Sequence, residues 1–91
     1  MNKSFVYILT NKNSTVLYTG VTSDLPKRIM QHRNKTYDGF SAKYNLTRVV
    51  YIEELPNITD AILREKHIKM MSRQRKVELI NKVNPKWDDL I

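Results

Sequence analysis

The sequence contains no cysteine, and it has only two histidines and two glycines among its 91 residues. Without cysteine the chain can form neither disulfides nor thiolate metal sites. The two histidines, His32 and His67, are too few for a closed zinc site. No apolar run approaches the roughly 18 residues that cross a bilayer, and no secretion signal is recognisable. We therefore expect a cytoplasmic protein without a membrane partner.

Acidic residues are scarce relative to basic ones. The chain carries 16 Lys and Arg against nine Asp and Glu, which gives a formal net charge of +7. Such an excess favours a polyanionic partner, most often nucleic acid; the alternative is a basic surface that is merely solvated. Composition and length predict one folded domain over residues 1–91, and we assume a monomer.

Short apolar runs and turn-forming residues predict the secondary structure. We expect strands over roughly 5–9, 16–21 and 47–54, where β-branched and aromatic residues are concentrated. We expect helices over about 24–34, 59–72 and 75–84; the first follows "TSDLP", which supplies capping side chains and a proline in the first turn. The segment "KTYDGFSAKYN" is predicted to be an irregular connection that can include one short helical turn. The order ββαβαα indicates an α+β fold with a small three-stranded antiparallel sheet flanked by helices.

A carboxylate falls within the apolar stripe of the second predicted helix. At about 100° per residue, the stripe contains Ile58, Ala61, Ile62 and Ile68. Glu65 lies in its middle, where a charge is costly unless it is paired, hydrogen-bonded or bound to a cation. Three interpretations follow: a buried Glu–Arg pair, a stripe that ends short and leaves Glu65 in water, or a cleft where Glu65 binds a hard metal ion.

The first predicted helix places two polar residues beside its apolar face. Leu25 and Ile29 mark the buried face, and Arg28 and His32, four residues apart, share a face that borders it. Both side chains should therefore lie at the edge of the core. They are either boundary residues that reach water, or an arginine that binds phosphate and a histidine that titrates near neutral pH.

Two tyrosines lie on the first two predicted strands. Alternation puts Tyr7 on one face with Phe5 and Leu9, while Tyr18 belongs to the neighbouring strand. The register between the strands decides whether the two phenols meet. The alternative to a shared site is that both rings simply pack the sheet, with their hydroxyl groups at its rim.

An ordered set of motifs runs along the chain: "FVY", then "YTG" eleven residues beyond, then the arginine of "LPKRIMQH", then the helical glutamate of "AILREKHIK". This set resembles the GIY-YIG nuclease superfamily over almost the whole chain, and most of all its small stand-alone bacterial members. Phe5 replaces the glycine of the first triplet, Val6 replaces its isoleucine, and Thr19 stands in the middle of the second. Those positions serve backbone packing rather than chemistry.

The resemblance implies a metal-dependent nuclease that hydrolyses phosphodiester bonds in DNA. The catalytic residues that it implies are Tyr7, Tyr18, Arg28, His32 and Glu65, and Asn84 matches a late asparagine. Glu65 would bind one divalent cation, Mg²⁺ or Mn²⁺. Tyr7 would be the general base, a role that Tyr18 or His32 could share, and Arg28 would stabilise the transition state.

Basic residues outside these motifs are candidates for contacts with the phosphate backbone: Lys27, Arg33, Lys35, Lys69, Arg73, Arg75 and Lys76. Tyr37, Phe40 and Tyr44 could stack on exposed bases or pack against the sheet. No predicted helix carries a set of base-reading side chains, so we expect selectivity for DNA structure rather than sequence. The alternatives are a non-catalytic nucleic-acid-binding module of the same fold and an adaptor whose basic face binds an acidic protein.

Overall fold

A computed structural model describes residues 3–35 and 39–91. The strands are β1 (Ser4–Thr10), β2 (Leu17–Thr22) and β3 (Arg48–Leu55), and the helices are α1 (Leu25–Arg33), α2 (Gly39–Lys43), α3 (Ile58–Lys69) and α4 (Arg73–Val83). The sheet is antiparallel, with β1 between β2 and β3. The predicted α+β fold is confirmed, but the order is ββααβαα because the connection before β3 contains α2. In these two described ranges no helix is long and apolar enough to cross a membrane.

Side-chain caps fix where the elements begin and end. Asn11 accepts hydrogen bonds from the backbone N–H groups of Thr15 at 2.8 Å and Val16 at 3.1 Å, which closes the loop between β1 and β2. Asp24 caps α1. Ser72 accepts from the backbone N–H of Arg75 and so caps α4. This cap corrects two predicted boundaries: α3 ends at residue 69 rather than 72, and α4 begins at residue 73 rather than 75.

The core lies on both faces of the sheet, since four consecutive residues of β1, from Val6 to Leu9, are fully buried. On one face, side chains of β1 pack against residues of α3 and α4, among them Ala61, Ile68 and Ile80. On the other face they pack against Leu25 and Ile29 of α1. We call these the α3–α4 layer and the α1–α2 layer. A functional side chain on β1 or β2 therefore belongs to one layer or the other, according to the register.

Candidate active site

The register of the β1–β2 hairpin puts both tyrosines in the α1–α2 layer. Tyr7 is paired with Gly20, and Leu9 is paired with Tyr18. Paired residues of antiparallel strands point to the same face, and Tyr7 and Leu9 share a face by alternation. Tyr7 is fully buried, while Tyr18 is half-buried. The two rings are thus diagonal neighbours on one face of the sheet.

Gly20 makes room for the Tyr7 ring. A methyl group on Gly20 would overlap with the Cζ and Oη atoms of Tyr7 and come within 2.7 Å of its Cε2 atom. The φ angle of Gly20 is not positive, so the glycine is needed for this close approach and not for an unusual backbone conformation. The glycine of "YTG" therefore places the Tyr7 phenol, a role that sequence analysis did not assign to it.

We expect the substitution Gly20→Ala to destabilise the protein by about 1–3 kcal/mol, because the added methyl group forces the buried Tyr7 ring to move. Thermal denaturation measures the loss. Gly39→Ala is the matched control: among the described residues beyond its chain neighbours, no atom lies within 4 Å of a Cβ at Gly39, and alanine favours helix in α2. Equal melting temperatures for the two variants would contradict the steric role of Gly20.

His32 connects Tyr7 to a residue of α2. Its Nε2 atom lies 2.9 Å from the Tyr7 hydroxyl oxygen, and its Nδ1 atom lies 2.8 Å from Oγ of Ser41. Its ring also packs edge-on against Tyr7 and Tyr18, with centroids 5.7 and 5.4 Å away. The prediction that His32 lies at the edge of the core is wrong, since it is only 1% exposed. Burial is tolerated because both ring nitrogens have hydrogen-bonding partners.

Ser41, His32 and Tyr7 form a continuous hydrogen-bonded row. A neutral imidazole has one N–H donor and one nitrogen acceptor. When Nδ1 of His32 donates to Ser41, its Nε2 accepts from the Tyr7 hydroxyl; the other tautomer reverses both bonds. The row can therefore take a proton from Tyr7. Sequence analysis did not single out Ser41, because it lies in a segment without helical or strand periodicity.

Arg28 lies one turn before His32 on α1 and reaches the edge of the sheet. Its Nη1 atom donates to the backbone oxygen of Val21 at 3.3 Å, and the side chain is half-buried. Val21 belongs to β2, which is an edge strand. Arg28 thus occupies the boundary position predicted for it, at the β2 edge.

Glu65 approaches from the other layer. Ala61 and Ile68 are the residues of α3 that are buried against the sheet, and helical geometry puts Arg64 and Glu65 on opposite sides of that line. The Nε atom of Arg64 donates to Glu53 on β3 at 2.9 Å. Glu65 therefore points away from β3, towards β2. The structure joins Tyr7, Tyr18 and His32 directly, whereas Arg28 and Glu65 approach β2 from the two layers.

The environment of Glu65 differs from two of the predicted alternatives, the buried Glu–Arg pair and the carboxylate left in water, and metal binding stays a prediction. Its side chain is 12% exposed, and its Oε2 atom lies 2.7 Å from the ammonium nitrogen of Lys69, one turn along α3. The partner is thus a lysine and not an arginine. Ile58 and Ile62 are 43% and 38% exposed, so their assignment to a buried stripe is wrong. A helix that crosses a three-stranded sheet contacts it along a narrow line, which Ala61 and Ile68 fill.

The possible metal ligands at this site could bind a hard cation only weakly. Within residues 3–35 and 39–91, no group of three or more potential ligands among His, Asp and Glu is placed to hold a metal ion. Glu65, the predicted ligand, would therefore hold a cation without a preformed cluster of further ligands among the described residues. Mg²⁺ commonly accepts such a site, since it keeps several waters and takes one or two carboxylates together with phosphate oxygens.

Two predicted site residues hold the C-terminal segment instead. The buried Asn84 amide donates to the backbone oxygens of Val50 at 3.0 Å and Asp88 at 2.9 Å. Arg33 is 2.8 Å from a carboxylate oxygen of Asp89 and donates to the Thr47 backbone oxygen at 3.1 Å. Both polar groups stabilise the packing of the chain end against β3 and α1. These contacts give Asn84 a structural role and engage Arg33 in a partly exposed ion pair, so its phosphate contact stays a prediction.

The other predicted phosphate contacts divide between the two layers. Lys27 and Lys35 are exposed and belong to α1 or follow it. Lys69 is paired with Glu65. Arg73, Arg75 and Lys76 lie on α4, where Arg73 donates to the Ser14 backbone oxygen at 3.1 Å. The predicted stacking residue Tyr37 lies outside the residues that the structure describes.

A second buried tyrosine contrasts with Tyr7. Tyr51 lies in the α3–α4 layer and donates its hydroxyl proton to Glu53 at 2.6 Å, and Glu53 also pairs with Arg64. Burial raises the pKa of Tyr51 above its usual value, and the hydrogen bond to the Glu53 carboxylate acts in the same direction. Tyr51 therefore remains a protonated donor. It offers a matched comparison for substitutions at Tyr7.

The chain is similar to one family model and to several bacterial proteins. Residues 3–81 match the family model described as the GIY-YIG catalytic domain. The UPF0213 protein SSP2268 of Staphylococcus saprophyticus is 40% identical over 85 residues, 89% of this chain and 98% of the relative. The UPF0213 protein CPE1444 of Clostridium perfringens is 42% identical over 82 residues, 86% and 83% of the two chains. The solution NMR structure of the UPF0213 protein BH0048 from Bacillus halodurans superimposes with a TM-score of 0.61 at 26% identity, covering 96% of this chain and 92% of that one.

Proposed function

This chain belongs to the GIY-YIG family, and on that premise we propose that it is a nuclease that hydrolyses phosphodiester bonds in DNA with one divalent cation. The observation that carries the proposal is the hydrogen-bonded row of Tyr7, His32 and Ser41. It places a phenol, an acceptor for its proton and the Tyr18 ring on one face of the sheet. The net charge of +7 supports a nucleic-acid substrate.

Tyr7 is the proposed general base, and His32 makes that role possible. A phenol ordinarily titrates near pH 10 and so keeps its proton at neutral pH. The Nε2 atom of His32, 2.9 Å away, can accept that proton while the Tyr7 oxygen takes one from the attacking water. Tyr7 is fully buried, so this step requires that DNA binding open the site to the water. Ser41 holds the other ring nitrogen of His32 and thereby orients it. Tyr18 and His32 remain alternatives for the base; Tyr18 is half-buried, whereas His32 is as buried as Tyr7.

Charge at the phosphate is the second requirement of the reaction. The Arg28 guanidinium at the β2 edge would stabilise the negative charge that develops on the phosphate oxygens. Glu65 would hold Mg²⁺ or Mn²⁺, and the bound cation would offset charge on a non-bridging or leaving oxygen. The ammonium group of Lys69 pairs with the same carboxylate at 2.7 Å.

Incubation with a panel of nicked, branched, single-stranded and duplex DNA, and with one matched RNA, tests the proposal. We expect cleavage of at least one DNA in the presence of Mg²⁺ or Mn²⁺ and none with a chelator. A Tyr7→Phe protein purified in parallel controls for contaminating nucleases. Tight, salt-sensitive binding without cleavage of any substrate would instead support the non-catalytic binding module of the same fold.

Salt dependence tests where nucleic acid binds. With about five phosphate contacts, the log–log slope of duplex affinity against salt should be about −4 to −5. We expect the exposed cations of the α1–α2 layer to make most of these phosphate contacts, because that layer contains Tyr7, Tyr18 and His32. Converting Lys27, Lys35 and Lys43 to glutamine should then reduce the slope by about 2–3.

The matched variant changes the three cations of α4: Arg73, Arg75 and Lys76. Both triple variants lose the same charge, so bulk electrostatics cannot distinguish them. If the α4 variant alone reduces the slope, the phosphate backbone lies on the α3–α4 layer and the proposed surface is wrong.

A further inference from the structure

Three aromatic rings continue outward from His32. The Tyr18 ring packs edge-on against His32 and is stacked on Phe40, with centroids 6.1 Å apart and an interplanar angle of 28°. Phe40 in turn contacts Tyr44 at 4.8 Å. We call Tyr18, Phe40 and Tyr44 the aromatic row. It leads from the proposed catalytic residues to the surface of α2.

The outer rings of the aromatic row are exposed to solvent. Phe40 is 46% exposed and Tyr44 is 39% exposed. Packing among the three rings explains their mutual contacts, but part of the Phe40 and Tyr44 rings, which lie side by side, stays exposed to solvent and is available for a ligand. The ammonium nitrogen of Lys43 lies 5.5 Å from the centre of the Tyr44 ring. A cation that can bind phosphate thus lies directly beside the exposed rings.

We propose that the aromatic row stacks on an unpaired nucleobase of the DNA strand bound at Tyr7, so that the preferred substrate is single-stranded or locally unpaired. That the stacked base belongs to the strand being cleaved rests on the proposed function. A base within a duplex has both faces covered by its neighbours, whereas an unpaired base offers a π-face to an aromatic ring. Lys43 would contact a phosphate of the same strand and so contribute affinity without sequence preference.

The test compares two single strands of equal length and charge in a metal-free buffer: a labelled oligothymidine and the same backbone with abasic sites in place of bases. Stacking requires the bases, whereas phosphate contacts do not. We expect the protein to bind the oligothymidine about 5- to 100-fold more tightly. Equal affinities for the two strands would overturn the proposal.

Variants of the exposed rings assign the effect to the aromatic row. Phe40→Leu and Tyr44→Leu keep an apolar side chain and remove the π-face. Each should lose most of the preference for oligothymidine while binding the abasic strand as the wild-type protein does. Val83→Ala, which changes an exposed apolar residue of α4, should leave both affinities unchanged. The proposal would be contradicted if either leucine variant melted like the wild-type protein and kept the full preference for oligothymidine over the abasic strand. If one variant fails to fold, the other still provides the test.

The binding measurement is independent of catalysis. Preference for bases without any metal-dependent cleavage would refute the nuclease proposal and leave the stacking surface intact. Cleavage without preference for bases would refute the stacking surface alone.

Discussion

Replacing Tyr7 with phenylalanine is expected to lower the rate of DNA cleavage by about 10²–10⁴-fold, the usual effect of losing a general base. The substitution removes the one oxygen that joins the phenol to His32 at 2.9 Å and leaves the ring to pack. Single-turnover cleavage at saturating metal measures the effect. Tyr18→Phe should have the smaller effect, because Tyr18 contacts His32 through its ring.

Lost stability could imitate lost catalysis in the Tyr7→Phe variant. His32 is buried, so its Nε2 atom would lose its partner at a cost of about 1–3 kcal/mol. Tyr51→Phe controls for this cost, since it also removes a buried phenol hydroxyl, in the other layer. We expect the two variants to melt at similarly lowered temperatures and only Tyr7→Phe to lose cleavage. Equal cleavage rates in both would reduce Tyr7 to a packing residue.

The fold class could be predicted from the sequence because the strands and most of the helices depend on short-range patterns. Alternating β-branched and aromatic residues mark the strands, and Asp24 marks the start of α1. The boundary position of Arg28 follows from its spacing relative to Leu25 and Ile29. Each of these inferences uses residues that are close together along the chain.

Contacts between distant segments could not be predicted. The pairing of Tyr7 with Gly20 depends on the hairpin register, and a shift of one residue would put the tyrosines on opposite faces. The hydrogen bond between His32 and Ser41 depends on α2, a helix of five residues that is too short to show a periodic pattern. Arg33 and Asp89 are 56 residues apart in the chain, so their ion pair could not be predicted from the sequence.

The substitution Glu65→Gln is expected to lower cleavage by about 10²–10⁴-fold, which corresponds to losing several kcal/mol of charge stabilisation by the cation. Glutamine keeps the size and removes the charge. The variant should fold, because a partly exposed pair four residues apart on a helix contributes only about 0.2–0.5 kcal/mol. DNA binding without metal should be retained, since Glu65 contributes no positive charge to it.

Glu53→Gln is the matched control for Glu65→Gln. Both carboxylates are partly buried and paired with a cation of α3, but Glu53 pairs with Arg64 on the β3 side of that helix. Titration of Mn²⁺ in the presence of uncleavable DNA measures metal binding directly, apart from catalysis. We expect Glu65→Gln to weaken Mn²⁺ binding and Glu53→Gln to leave both Mn²⁺ binding and cleavage unchanged. Each variant removes one negative charge from a carboxylate paired with α3, so normal cleavage and Mn²⁺ binding in Glu65→Gln would contradict the role of Glu65 as the metal ligand.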